Sequence, residues 1–196
     1  MVNKTLQEKK QVHYMDFDLQ YTALLSNDRS FEEQTHQGLN VLRSGEHSTT
    51  DVFVKLLNFR ELEQRGLVIL DSVNTLQTLL QEKYGAIDYL DANHKAAVLI
   101  TLAQQFADLH QKVLILASVI RSRPRDVQGS EIWEKELSGG RMVKFKSDAL
   151  VSISYNTEDT SSKKNRLNLT VEGVAERSSQ TLKPGQCFLL DLSPFM

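Results

Sequence analysis

The sequence is poor in the residue types that most directly identify a function. Its 196 residues include one cysteine, three prolines and one tryptophan, and the formal net charge is only -2. A single cysteine, Cys187, excludes an intrachain disulfide and a cysteine-based zinc cluster, and it suits a reducing compartment. The small net charge gives no overall attraction to nucleic acid or to acidic membranes, so such a partner would need a local basic surface.

Long apolar stretches are also missing. The longest, AAVLITLA at residues 96–103, is too short to cross a bilayer, and the segment MVNKTLQEKK has no apolar region typical of a secretory signal. We therefore expect a protein without a membrane partner, located in the cytoplasm or, in a eukaryote, in the nucleus. With 40% hydrophobic and 24% charged residues, the chain has the composition of one globular domain, assigned to residues 1–196.

Residues that carry catalytic or metal chemistry are scattered along the chain. We expect Cys187, within the apolar run CFLLDL, to be a small core residue rather than a reactive thiol. The histidines show neither metal-site spacing nor an arrangement with Cys187 typical of a nucleophilic pair. They are His13, His36, His47, His94 and His110. The sequence thus predicts no metal and no cofactor.

Apolar strands alternate with amphipathic helices over the first 120 residues. The predicted strands are VHYMDF (12–17), LVILD (67–71) and KVLILASVI (112–120). Residues between the first strand and Asp51 are expected to be helix and loop, with Thr50 or Asp51 capping a helix over residues 52–64. From Asp91 onward, apolar side chains at helical spacing predict a long helix packed on the sheet.

Connections of this length between strands predict parallel pairing. The remainder of the chain changes character, because shorter strands with polar turns predict antiparallel pairing. These strands are ALVSISYN (149–156), NRLNLTVEG (165–173) and GQCFLLDL (185–192). The predicted fold is therefore α/β, with a mainly parallel sheet flanked by helices and ending in antiparallel strands.

The order of these segments resembles the core of the RecA-like ATPases, the superfamily of RecA, RadA and KaiC. LVILDSVNTL (67–76) is similar to their second phosphate-site strand, the Walker B strand, and places Asp71 and Ser72 at its end. A loop at about 78–93, a long helix and a third strand are expected to follow as in the family. The most specific piece is GGRMVKFKSDALVSI (139–153), whose glycine pair resembles the end of a DNA-facing loop in recombinases.

The chain departs from the family where ATP is bound and cleaved. The phosphate loop GxxxxGK[ST] is missing, and Lys4-Thr5 is interpreted as a solvated helix end. Three other features also differ: Asp18 stands for the catalytic glutamate, Val119 for the sensing glutamine, and Glu172 with Val174 for the hairpin lysines. The resemblance therefore implies a degenerate ATPase that is not an enzyme.

Asp71 has two interpretations. As a vestigial Walker B aspartate it could still bind magnesium, or it could have a structural or helix-capping role. The missing phosphate loop favours the structural role.

A nucleic-acid site is predicted between residues 121 and 146. Its residues are Arg121, Arg123, Arg125, Trp133, Arg141, Lys144 and Lys146. In an extended segment, alternate arginines would face one side and meet phosphates, while the tryptophan would stack on a base. In the alternative interpretation, acidic neighbours (Asp126, Glu131, Glu134 and Glu136) pair with the arginines, and Trp133 anchors a helix EIWEKEL to the core or to a partner.

The resemblance implies a non-catalytic recombinase paralogue, accessory in DNA recombination and repair. Its expected partners are single-stranded DNA or an active RecA-family recombinase, and its expected assembly is a homodimer or a hetero-oligomer. One alternative is a scaffold subunit that resembles the RecA-fold members of the Elongator complex in tRNA modification. Another is a KaiC-like regulatory module that binds only protein partners.

Overall fold

The structure, a computed structural model, describes residues 11–20, 22–23, 38–43, 48–59, 66–84, 89–127, 130–137, 143, 147–155, 166–174 and 183–191. Two compact units divide the chain, Met1–Gly140 and Arg141–Met196. The described elements are α-helices and both parallel and antiparallel strands, which confirms the α/β class predicted from the sequence.

A four-stranded parallel sheet with the strand order β2-β1-β3-β4 forms the centre of the first unit. Its strands are β1 (Gln11–Asp16), β2 (Leu39–Arg43), β3 (Gly66–Asp71) and β4 (Val113–Leu116). β1 pairs with β3 from Gln11 opposite Gly66 to Asp16 opposite Asp71. The long connections between these strands contain helices, as parallel pairing requires.

Helices cover the sheet face that carries His13 and Phe17. The three described helices are α1 (Thr49–Leu57), α2 (Val73–Tyr84) and α3 (Tyr89–Leu109). The His13 ring lies 4.8 Å from the ring of Phe59 and 5.7 Å from that of Phe106 in α3. The ring of Phe17 stacks on that of Phe53 in α1 at 6.0 Å.

The opposite face of the sheet is also apolar. Val12, Leu67 and Ile69 form a buried cluster there, against which partly buried side chains pack (Tyr14, Leu39 and Ile115). Both faces of β1 and β3 are therefore withdrawn from water, which explains why these strands read as nearly continuous apolar runs.

Gly66 begins β3 at a point where two backbones approach closely. Its φ is +153°, and a Cβ atom built on it would collide with the carbonyl oxygen of Gln11, its register partner. Only glycine lacks that atom, so the first pair of the β1–β3 ladder depends on this residue.

Two antiparallel strands follow β4 in the first unit. They are β5 (Ile120–Val127) and β6 (Ser130–Leu137), which pair with each other as a two-stranded sheet that we call the hairpin. EIWEKEL is thus a strand, and its prediction as a helix is wrong. Its glutamates and lysine favour a helix, but pairing with β5 outweighs that preference and makes the segment a strand.

The second unit contains a three-stranded antiparallel sheet, which confirms the predicted antiparallel end of the chain. Its strands are β7 (Ala149–Tyr155), β8 (Arg166–Val174) and β9 (Cys187–Asp191), in that order. Val143 and Val171 are buried in this unit, whereas 65% of Ile153 is exposed. A bulge between Leu150 and Val151 interrupts the register of β7 with β8.

Strand β2 and the start of α1 differ from the prediction. Leu39–Arg43 is a strand where helix and loop were expected, because five residues of mixed polarity carry little strand signal. Ser48, not Thr50 or Asp51, caps α1: its Oγ accepts from the N–H of Asp51, and Asp51 Oδ2 accepts from the N–H of Ser48. Serine, threonine and aspartate all act as N-caps, and residues 48–51 are all of these types. The sequence therefore could not decide which of them caps the helix.

The boundaries around α2, α3 and β4 were also predicted imperfectly. The loop expected at about 78–93 is helical up to Tyr84 and again from Tyr89. The strand expected over residues 112–120 is shorter, because β4 ends at Leu116 and a connecting segment leads into β5.

None of the helices in these described ranges has the combination of length and apolarity that a bilayer span needs.

The buried His13 predicts loss of stability in mild acid. Burial, followed by the positive charges of Lys112 and His110, lowers the pKa of His13 to about 4. Unfolded His13 takes up a proton below its ordinary pKa near 6.5, while the folded state does so only near 4. Stability from this group is therefore complete above pH 6.5 and is lost as the pH falls towards 4, by on the order of 3 kcal/mol.

Denaturant unfolding of the His13→Leu variant between pH 4 and 7 checks this expectation. The variant should lose most of that pH dependence, whereas substitution of the exposed His94 by glutamine should preserve it. An equal pH slope in the parent protein and the His13→Leu variant would contradict the assignment.

Candidate functional site

Polar side chains gather where β1 and β3 end together, a region we call the carboxyl edge. Parallel strands end at the same side of a sheet, and Asp16 lies opposite Asp71 in the register. Asp18 and Ser72 follow directly, and the Ser72 hydroxyl donates to Asp18 Oδ1 at 3.2 Å. The structure thus brings together the predicted vestigial site residues Asp18, Asp71 and Ser72.

Tyr14 holds the carboxylate of Asp71. Tyr14 lies two residues before Asp16 in β1, and its hydroxyl donates to Asp71 Oδ2 at 2.5 Å. Burial is the largest influence and raises the pKa of Asp71, as do the charges of Asp18 and Asp16, whereas the Tyr14 hydrogen bond lowers it. Asp71 is therefore less readily ionised than an ordinary aspartate.

Ser72, rather than Asp71, starts helix α2. Its Oγ accepts from the N–H of Thr75 at 3.4 Å, and its carbonyl oxygen accepts from the N–H of Leu76 at 3.0 Å. The peptide bond between Asp71 and Ser72 is cis. Because the N-cap position is taken by Ser72, the helix-capping interpretation of Asp71 is wrong. The described side-chain hydrogen bond of Asp71 is the one from Tyr14.

Asp16 is the most deeply buried carboxylate at the carboxyl edge. It is 0% exposed, and its Oδ2 accepts from the N–H of Thr22 at 2.7 Å. Its Oδ1 has no hydrogen-bond partner among the described residues. Asp16 was not among the predicted site residues, although its position near the end of a predicted strand was an available signal.

Within the described ranges, no set of three histidine, cysteine, aspartate or glutamate side chains is placed to hold a metal ion. The described hydrogen bonds to the carboxylates of the carboxyl edge come from two hydroxyls and one backbone N–H. Such an arrangement can orient side chains and share protons among them.

Asn74 connects the carboxyl edge to the base of the hairpin. This residue lies in the first turn of α2 and is 7% exposed. Its Oδ1 accepts from the N–H of Val119 at 3.0 Å and from the hydroxyl of Ser118 at 3.3 Å. Nearby, the N–H of Val73 donates to the carbonyl oxygen of Ala117 at 3.0 Å.

Val119 occupies the position that corresponds to the family's sensing glutamine. Its side chain is 52% exposed, and its described polar contact is the backbone bond to Asn74. Asn74 was missed by the sequence analysis. The available signal was an amide side chain two residues after the serine that follows a predicted strand.

The backbone of the predicted arginine segment is extended, as strand β5. The register places Arg121 opposite Glu136 and Arg123 opposite Glu134. With four basic and four acidic residues over residues 120–137, the hairpin is electrically balanced.

Trp133 lies on β6 and is 63% exposed. Its register partner is Pro124, which is also exposed. An exposed tryptophan of this extent does not serve as an anchor to the core, so that part of the alternative interpretation is wrong.

Several predicted residues lie outside the described part of the chain. They are Lys4, Thr5, Gly139, Gly140, Arg141, Lys144 and Lys146. In the second unit, the exposed Glu172 accepts from the Ser152 hydroxyl at 2.6 Å. Cys187 is exposed, so the prediction of a core cysteine is wrong. It is the first residue of β9 and of the apolar run CFLLDL.

Comparison with known proteins gave no assignment: no protein-family model matches this chain, and no curated protein matches it.

The contacts of Asp71 predict opposite effects of two conservative substitutions. Tyr14→Phe removes a hydrogen bond to the carboxylate, so the pKa of Asp71 should rise further above its usual range. Asp18→Asn removes a neighbouring negative charge while keeping an oxygen for Ser72, so the pKa of Asp71 should fall. Carbon-detected NMR titration of the Asp71 carboxyl measures both, and a shift in the same direction in both variants would refute this account.

Proposed function

We propose that this chain is a non-catalytic protein with a RecA-like domain, accessory in DNA recombination and repair, which acts by binding through its hairpin. Its partners on this proposal are single-stranded DNA or an active RecA-family recombinase. It works as a homodimer or as part of a hetero-oligomer, without turning over ATP.

The hydrogen bonding of Asp71 carries the non-catalytic part of this proposal. An aspartate that binds magnesium must present an ionised carboxylate to the ion. Here one oxygen of Asp71 is engaged by the Tyr14 hydroxyl, and burial raises the pKa of the group. The Ser72 hydroxyl is likewise engaged, by Asp18 and by the N–H of Thr75.

The exposed Trp133 supports the binding part. A large aromatic side chain that is 63% exposed on a two-stranded hairpin offers a flat surface on which a nucleobase can stack. Alternate arginines on the paired strand provide bidentate donors to phosphate oxygens. A base and a phosphate are the two chemical parts of single-stranded DNA. Because Trp133 pairs with Pro124, which alternates with the arginines along β5, a bound strand would have to pass around the edge of the hairpin to meet both features.

The balanced charge of the hairpin favours a second candidate, a regulatory module with a protein partner. Because Arg121 and Arg123 lie opposite glutamates, the hairpin has little long-range attraction for a polyanion. Exposed aromatic residues and arginines are also enriched in protein interfaces. The DNA proposal therefore depends on short-range contacts that replace these pairs.

The first consequence concerns nucleotide. Titration calorimetry with Mg-ATP is expected to show no submicromolar binding, because the phosphate loop is missing and the Asp71 carboxylate is engaged. The Asp71→Asn variant is the matched control, since it keeps an oxygen for Tyr14. Submicromolar affinity that this substitution abolishes would overturn the non-catalytic proposal.

The second consequence concerns DNA. Joint substitution of Arg121, Arg123 and Arg125 by alanine should weaken single-stranded DNA binding and flatten the salt slope by roughly 0.7 per lost phosphate contact. Trp133→Ala should cost roughly 1 to 3 kcal/mol of binding with little change in slope. Fluorescence anisotropy of labelled DNA at several salt concentrations measures both effects.

Substitution of the exposed Arg43, at the end of β2, is the control for a general loss of charge. It should leave affinity and slope close to those of the parent protein. Binding of a tRNA fragment without DNA affinity at low salt would instead favour the Elongator-like alternative. Binding of neither nucleic acid would favour the protein-only module.

A further inference from the structure

The hairpin leaves the sheet through residues 117–119, and the start of α2 holds this segment. The N–H of Ala117 donates to the carbonyl oxygen of Leu70, and the carbonyl oxygen of Ala117 accepts from the N–H of Val73, both at 3.0 Å. Asn74 then holds the next two residues through its side-chain oxygen. The last of these, Val119, directly precedes the first residue of β5.

We infer that Asn74 is a positioning residue that fixes the orientation of the hairpin relative to the carboxyl edge. Its amide oxygen faces two donors, a backbone N–H and a hydroxyl, and only the oxygen of an amide can accept from a backbone N–H. Its Nδ2 has no hydrogen-bond partner among the described residues. The contacts to residues 118 and 119 therefore determine how this buried side chain is oriented.

The length of the hairpin makes its base important. Pro124, the register partner of Trp133, lies four residues beyond Ile120, roughly 13 Å along the strand. A rotation of about 20° at the base would move that position by roughly 4 to 5 Å, given this strand length. A shift of that size is enough to remove an aromatic ring from a bound ligand.

The same helical turn carries Ser72 and Asn74. Ser72 contacts Asp18 at the carboxyl edge, while Asn74 contacts the hairpin base, two residues later. A change in hydrogen bonding at the carboxyl edge would thus reach the hairpin through the first turn of α2. That the hairpin is a binding arm rests on the proposed function, but the positioning role of Asn74 does not.

Gln77 provides a matched control on the same helix. It is 8% exposed, compared with 7% for Asn74, and its Nε2 donates to Asn93 Oδ1 in α3 at 2.7 Å. Replacing Gln77 by alanine removes one described side-chain hydrogen bond of α2, and replacing Asn74 removes two. Of these three bonds, only the two of Asn74 end at the hairpin base.

The test uses the full chain without any ligand. Amide hydrogen exchange of Val119 is read by NMR, and time-resolved fluorescence anisotropy is read from Trp133, the single tryptophan. In Asn74→Ala, Val119 exchange should accelerate about tenfold relative to amides of β3, and the fast component of the anisotropy decay should grow. In Gln77→Ala, both readings should stay at the parent level relative to β3.

Two further variants of Asn74 sharpen the result. Asn74→Asp keeps an acceptor oxygen for Val119 and should preserve its protection. Asn74→Ser is polar, but its oxygen lies one bond closer to the backbone and is expected not to reach Val119. If the alanine variant does not fold, the serine variant should show the same faster exchange of Val119. Unchanged Val119 exchange in the alanine or serine variant, or an equal change in Gln77→Ala, would overturn the positioning role.

No nucleic acid or partner protein takes part in these measurements. Failure of the parent protein to bind DNA or recombinase would refute the proposed function but not the positioning role of Asn74. Conversely, unchanged Val119 exchange in Asn74→Ala would refute the positioning role but not the binding proposal.

Discussion

The parallel pairing of β1 with β3 is the constraint on which the rest of the first unit depends. Six consecutive register pairs place both strands between two apolar layers, so their side chains are withdrawn from water on either face. The strands also end together, which brings carboxylates from distant parts of the chain to one edge. Burial of these carboxylates is costly unless they are hydrogen-bonded, and the hydroxyls of Tyr14 and Ser72 meet part of that need.

Hydrogen bonds at the carboxyl edge and at the base of the hairpin both end on the first turn of α2. Ser72 caps α2 while it contacts Asp18, and the same helical turn presents Asn74 to the segment that leads into β5. Proteins commonly place binding residues on segments that a rigid sheet positions. The base of the hairpin is held by β3 and by the start of α2, an attachment that would suit the binding role proposed for it.

Local sequence signals were sufficient for elements whose pattern is continuous. The strands around Val68 and Met15 were predicted because both of their faces are apolar, whereas the short β2 and the charged β6 depend on pairing that no local pattern encodes. Asp18, Asp71 and Ser72 lie at one edge because they follow the ends of β1 and β3, and such strand ends can be read from the sequence. Their contacts could not be predicted: Tyr14 is 57 residues from Asp71, and Asn74 is 45 residues from Val119.

Gly66 has a consequence for how this sequence can diverge. Tyr14 with Asp71, and Ser72 with Asp18, can change together, because a new donor on one side can be matched by a new acceptor on the other. Gly66 has no such partner: the obstacle to a larger residue is the backbone carbonyl of residue 11, which every amino acid carries. Among relatives that keep this register, covariation is expected at the carboxyl edge and invariance at position 66.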